Sequence, residues 1–280
     1  MKKILITTDL SKNSKAGIRF AIQLASQNRI SLIFYHVMEL LKPTTWDNER
    51  FESFVGLEMK FAQQKVESLV KSVFRQIKKK AGKYECVVEV GAEADKAIID
   101  YATRRKVDFI CMSTRGAGVL RRVIGTSTSA VLQRAKSPVF VIPKNYRREA
   151  IKHVLYSSDL NSLQKELKTV RDFSASINAK TSVLHYDYLQ QVREVNEKLE
   201  ALSRRYRATG VEFHFQKFQI ENSLGAHLKT AIGKFKPSLV VLFTKQNRDL
   251  FDRLFLSSKS ASVSFDTSKP LLVFSKRTDN

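Results

Sequence analysis

The strongest constraint in this 280-residue sequence is an internal repeat. Residues 2–11 read Lys-Lys-Ile-Leu-Ile-Thr-Thr-Asp-Leu-Ser, and residues 152–161 read Lys-His-Val-Leu-Tyr-Ser-Ser-Asp-Leu-Asn, so Asp9 pairs with Asp159 at an offset of 150. Leu32–Val37 matches Ser182–Tyr186 and pairs His36 with His185. Lys106–Met112 matches Lys236–Leu242, and Ser137–Ile142 matches Lys269–Phe274. Four matches in one order make the chain two similar halves, 1–146 and 147–280. The offset falls to about 131 by the last match, so the second half is shorter. The extra residues of the first half are expected in Lys42–Gly56, which holds Pro43 and the only tryptophan, Trp46.

Within each half, apolar runs alternate with helical patterns. Ile4–Thr7, Ser31–Val37, Cys86–Val90, Phe109–Met112 and Val139–Ile142 are short apolar runs of the kind found in strands buried on both faces. Between them, Ser11–Gln27, Leu57–Lys80, Ala94–Arg104 and Ser127–Ala135 carry apolar residues at helical spacing, such as Ile18, Ala21, Ile22 and Ala25. The second half repeats the strands near 153–157, 181–186, 211–217, 238–243 and 271–274. This alternation predicts an α/β fold: two tandem doubly wound, Rossmann-like domains, each a five-stranded parallel sheet with helices on both faces. Lys144–Ala150 reads as a short charged linker.

Composition is that of an ordinary globular chain except in charge: 49 Lys+Arg against 27 Asp+Glu give +22. The excess is divided between the halves, 26 basic and 13 acidic residues in 1–146 and 23 and 14 in 147–280, so it is not a basic tail. Its densest clusters are Lys78–Lys80, Arg104–Lys106, Arg147-Arg148 and Arg204–Arg207. Such a charge suits either a solvated surface or a polyanionic partner such as nucleic acid, and the first is the favoured reading. Two cysteines, Cys86 and Cys111, give neither a disulfide framework nor a metal motif. No apolar run reaches the length of a membrane span. A cytoplasmic location is the expectation.

In an open parallel sheet, ligands sit beyond the carboxyl ends of the strands. Three segments there carry suitable chemistry. Asp9 follows the first strand, where its carboxylate can accept hydrogen bonds from a sugar hydroxyl or base amine, or else cap the next helix. Met112-Ser113-Thr114-Arg115-Gly116-Ala117-Gly118 follows the fourth strand. Ile124-Gly125-Thr126-Ser127-Thr128-Ser129 opens a helix. Gly116, Gly118 and Gly125 let backbone N–H groups approach a phosphate, hydroxyls at a helix start add donors, and Arg115, Arg121 and Arg122 add charge. A glycine-containing turn with a Ser/Thr capping run is the structural alternative. No GxxxxGK[ST] motif is present.

The strand ending in Asp9, the His36-Val37 pair, the run Ser113-x-x-Gly116-x8-Gly125-Thr126 and the closing Pro138-Val139-Phe140-Val141 strand together resemble the universal stress protein family. The resemblance covers almost the whole chain as two tandem domains. It implies an adenine nucleotide, ATP with or without Mg2+, as ligand and a regulatory or stress-response role. By the resemblance, Asp9 and Val37 contact the adenine and ribose; Met112, Ser113 and Gly116 line the nucleotide; and Gly125, Thr126 and Ser127 hold the phosphates. It also implies pairing of the fifth strands between the two domains, mimicking a dimer within one chain and leaving room for a further homodimer. Two positions depart from the family pattern Gly-x-x-Gly-x9-Gly-[Ser/Thr]. Ser113 takes the first glycine position, and eight residues separate Gly116 from Gly125, a shortening that Gly118 can absorb.

The second half departs further. Lys245–Leu250 replaces the first glycines, Ser257-Ser258 replaces Gly125-Thr126, and no glycine follows Gly233. It reads as a degenerate domain with Asp159 as a relic. His36 and His185 end apolar strands without Ser/Asp or Cys partners in sequence, so they read as structural. Cys111 reads as core. No catalytic set converges, which favours binding over turnover, with slow ATP hydrolysis the most that the residues allow. The alternative is a nucleotide-free interaction module that uses its basic surface to bind nucleic acid or acidic partners.

Overall fold

The computed structural model describes residues 1–79, 82–114, 126–187, 192–219, 221–222, 224–245 and 268–276. The chain divides into two compact units, with the boundary between Arg148 and Glu149.

Unit 1 contains β1 (Lys2–Thr7), α1 (Lys15–Gln27), β2 (Ile30–Met38), α2 (Asn48–Gln76), β3 (Tyr84–Val90), α3 (Ala94–Arg104), β4 (Phe109–Ser113), α4 (Thr126–Arg134) and β5 (Val139–Ile142). The strands run in the order β3-β2-β1-β4-β5, and every pairing is parallel. The order reverses between β1 and β4, which places the crevice of a doubly wound sheet there. Ile4, Leu5, Ile6, Phe34, Ile110, Phe140 and Ile142 are fully buried, as continuous apolar strands with helices on both faces must be.

Unit 2 contains β6 (His153–Ser158), α5 (Leu163–Ser176), β7 (Lys180–Asp187), α6 (Val192–Tyr206), β8 (Glu212–Lys217), α7 (Leu224–Phe235), β9 (Leu239–Lys245) and β10 (Leu271–Lys276). Its parallel order, β8-β7-β6-β9-β10, repeats that of unit 1. The predicted α/β class and the strand alternation are both realised.

Two helix starts differ from expectation. α1 begins at Lys15 rather than Ser11, because the chain first makes a tight turn: Leu10 adopts φ 62°, and the Ser11 N–H bonds Asp9 Oδ1 at 3.0 Å. α2 begins at Asn48, nine residues before the expected Leu57. Asp47 caps it by accepting the Arg50 N–H at 2.7 Å, a signal that the apolar spacing does not carry. Most of the extra segment of the first half is thus helix. The linker folds back on unit 1: Tyr146 is buried against Phe20, and Arg148 Nε donates to the Gln23 amide oxygen at 2.8 Å.

Candidate functional site

β1, β2 and β4 end side by side, and a cleft of about 440 Å³ lies beyond their carboxyl ends. That volume falls within the roughly 300–1,000 Å³ typical of small-molecule sites. Thr7–Asp9 line it from β1, Tyr35–Leu40 from β2, Met112–Thr114 from β4, Ala94 and Ile98 from α3, and Ser127 and Thr128 from the first turn of α4. Five residues singled out from sequence, Asp9, Val37, Met112, Ser113 and Ser127, therefore meet in one place. Thr126 opens α4. Arg115, Gly116, Gly118 and Gly125 lie outside the described residues.

The β1 turn fixes the Asp9 carboxylate. Leu10 N–H donates to Thr8 Oγ1 at 3.0 Å, holding Leu10 in the left-handed region and turning the chain at Asp9. Asp9 Oδ1 is committed to the Ser11 N–H, while Oδ2 has no protein partner among the described residues. Thr8 Oγ1 also shares a hydrogen bond with Ser14 Oγ at 2.8 Å, and both side chains are buried. His36 Nδ1 lies 2.8 Å from the Thr8 carbonyl. A carbonyl only accepts, so Nδ1 carries the proton and, in the neutral ring, Nε2 is an acceptor. His36 thus ties β2 to the β1 turn, as a structural histidine does, and it also lines the cleft. The Tyr35 hydroxyl donates to Glu89 Oε2 at 2.9 Å. Burial, then the Glu89 bond and charge, push that phenol well above its ordinary range.

Ser113 has a task that the sequence does not reveal. Its Oγ accepts the Gly17 N–H at 2.8 Å, satisfying one of the free donors in the first turn of α1. A Cβ on Gly17 would stand 2.9 Å from this oxygen, so the two residues require each other. Thr114 and Thr128, which lie in the two candidate segments, also line the cleft, as do Asn13, His36 and Glu39, which were not among the ligand candidates. The signal for Asn13, His36 and Glu39 is that they lie at or just after the ends of β1 and β2.

Unit 2 rebuilds the turn but engages its carboxylate differently. Leu160 has φ 63°, its N–H bonds Ser158 Oγ at 3.0 Å, Asp159 Oδ1 accepts the Asn161 N–H at 3.0 Å, and His185 Nδ1 meets the Ser158 carbonyl at 2.9 Å. Each contact repeats one around Asp9. The second carboxylate oxygen differs: Asp159 Oδ2 lies 2.7 Å from Lys276 Nζ. The same ammonium is 3.1 Å from Glu166 Oε1, and the buried Glu166 accepts the Tyr156 hydroxyl through Oε2. Burial alone would raise the Asp159 pKa, but Lys276 and the Asn161 N–H outweigh it and hold it below the ordinary carboxylate range. Lys276 is raised in turn, its two carboxylates outweighing burial. β10 continues two residues past Phe274, whereas the equivalent stretch of β5 stops at Ile142 before Pro143, which has no N–H for the ladder. A cavity of about 490 Å³ beside Asp159 is lined, among the described residues, by 159–165 with Leu202, Arg205 and Tyr206.

Among the described residues there is no group of three or more His, Cys, Asp or Glu side chains that could hold a metal, and no helix long and apolar enough to cross a membrane. Both cysteines are free thiols. Cys111 is fully buried in β4, and burial pushes Cys86 up to about 11.

A curated universal stress protein of Methanocaldococcus jannaschii is 26% identical over 152 residues, covering 51% of this chain and 82% of that protein. The crystal structure of a universal stress protein from Archaeoglobus fulgidus matches 99% of this chain and 97% of its own, at 16% identity and a TM-score of 0.69, a likeness of fold over both halves. A universal stress protein solved in complex with cAMP matches 50% of this chain and 96% of its own, at 18% identity and a TM-score of 0.39. The sequence model of the universal stress protein family matches residues 1–143, just over half of the chain. The chain belongs to the universal stress protein family.

Proposed function

We propose that unit 1 binds one adenine nucleotide, ATP with or without Mg2+, in the cleft at the ends of β1, β2 and β4, and that unit 2 keeps the fold without the site. The observation that carries this reading is the contrast between two equivalent carboxylates. Asp9 Oδ2 is available to a sugar or base donor, and Asp159 Oδ2 is held by Lys276. The other components suit a nucleotide. Val37 and Met112 offer apolar surface to a base, and the α4 first turn offers N–H groups and the Ser127 hydroxyl to phosphates. By the family resemblance, Gly125 and Thr126 would hold the phosphates with Ser127, and Gly116 would line the nucleotide with Arg115 and Gly118 close by in sequence. Mg2+ would enter bound to the phosphates. The role is regulatory binding in a stress response rather than turnover.

The charge of +22 supports the competing reading, a basic surface for nucleic acid. One of its densest clusters is already engaged: Arg104 pairs with Glu89 at 2.6 Å and Arg105 with Glu85 at 2.8 Å. Calorimetric titration with ATP and Mg2+ tests the proposal. Asp9→Ala should weaken binding at least about tenfold, the order expected for losing hydrogen bonds to a charged group. Unchanged affinity in a folded Asp9→Ala protein would count against it.

A further inference from the structure

Helix α2 carries apolar side chains on two faces. Ala62, Val66, Val70, Val73 and Phe74 are buried against the rest of unit 1. Phe54, Leu57 and Phe61, spaced i, i+3, i+7, lie roughly 160° around the helix from that face. Leu57 and Phe61 are each 55% exposed. Trp46 extends the stripe, packing edge-on against Phe54 at 5.2 Å, with Arg50 4.6 Å above its ring. The equivalent α6 of unit 2 has 15 residues against 29 in α2. An outward aromatic and aliphatic stripe on the exposed side of a helix marks an interaction surface.

We propose that this stripe docks a second copy of the chain, α2 antiparallel to α2, about a twofold axis beside Leu57. The charges select this occupant and direction. Asp47 lies ten residues before Leu57 and Lys65 eight residues after it, on the same side of the stripe. Both are exposed, and neither forms an ion pair with a described residue. An antiparallel twofold sets Asp47 of each copy beside Lys65 of the other, Phe54 against Phe61, and Leu57 against Leu57. It also brings the two Glu58 side chains near one another, which weakens the contact. A single helix pair buries less than a standard interface, so association should be reversible, with a Kd of tens of micromolar.

Sedimentation velocity on the full chain, from about 1 to about 200 µM, tests this. The expected result is a concentration-dependent monomer–dimer equilibrium that Leu57→Glu/Phe61→Glu abolishes without altering far-UV circular dichroism. Asp47→Asn, which keeps the helix cap, and Lys65→Met should each weaken dimerisation about two- to fivefold, and the double variant no further. Glu58→Gln should tighten it. A monomer throughout the range, or a dimer indifferent to Leu57→Glu/Phe61→Glu, overturns the proposal. The first outcome would leave the stripe to a different partner, and the second would place the dimer contact elsewhere.

Discussion

Lys276, the last residue of β10, places its ammonium 2.7 Å from Asp159 Oδ2, the oxygen equivalent to the Asp9 Oδ2 that has no partner among the described residues of unit 1. The lysine is also bonded to Glu166, whose side chain is 6% exposed, so removing it strands a buried carboxylate. Lys276→Met should destabilise unit 2 by about 2–3 kcal/mol, below the full cost of breaking a buried pair because Asp159 is partly solvated. Urea denaturation checks the size. A loss under about 0.5 kcal/mol would mean that the contact is a surface pair of no structural weight.

The same triad makes a pH prediction. The Asp159 pKa is depressed, so its contribution is present above the ordinary carboxylate range and lost as pH falls through its folded value. The Lys276 pKa is raised, so its contribution is present below the ordinary lysine range and lost as pH rises through its folded value. Urea midpoints measured across pH should therefore fall at both limbs, and Lys276→Met should flatten both. An unaltered profile in the variant would assign the pH dependence to other groups.

A second titrating pair lies at the opposite end of the unit 2 sheet. His153 Nε2 meets Ser182 Oγ at 2.7 Å, and the His214 ring stacks on Phe235 at 4.4 Å. Burial lowers both pKa values below the ordinary 6.5, against the opposing charge of Glu212 and with added repulsion from Lys180 and Lys234. Their stabilising effect is complete above that value and is lost as pH falls through the folded pKa values. Proton NMR should show both rings titrating below free histidine, and stability should decline as pH falls below the ordinary histidine range. Titration of either ring at or above the free value would contradict this.

Two glycines should respond in opposite directions to alanine. At Gly17 a new Cβ meets Ser113 Oγ at 2.9 Å and disturbs the bond that caps α1. Gly17→Ala and Ser113→Ala should each cost about 1 kcal/mol or more. At Gly56, inside α2, a Cβ meets nothing within 4 Å. Gly56→Ala should stabilise by about 0.5–1 kcal/mol through helix propensity. Thermal denaturation of the three variants reads both signs, and the same sign at both glycines would refute the assignment.

The repeat was legible because it rests on local chemistry. The Thr8-Asp9-Leu10 and Ser158-Asp159-Leu160 turns use the same hydroxyl and carboxylate bonds, and each is joined by a histidine from the next strand. Strand positions followed from apolar runs buried on both faces. The contacts that separate the two halves were not legible, because each links residues about 100 or more positions apart. Lys276 reaches Asp159 across 117 residues and Ser113 reaches Gly17 across 96, and neither leaves a periodic signal. The early start of α2 was missed for another reason. Its first turns bury little, so a cap at Asp47 rather than an apolar face defines them.

The count of nucleotides per chain tests the central claim most directly. Native mass spectrometry of the protein equilibrated with ATP and Mg2+ should show one nucleotide per chain, lost in Asp9→Ala and retained in Asp159→Ala. Two nucleotides per chain, none, or a loss caused by Asp159→Ala would contradict the assignment of a single site to unit 1.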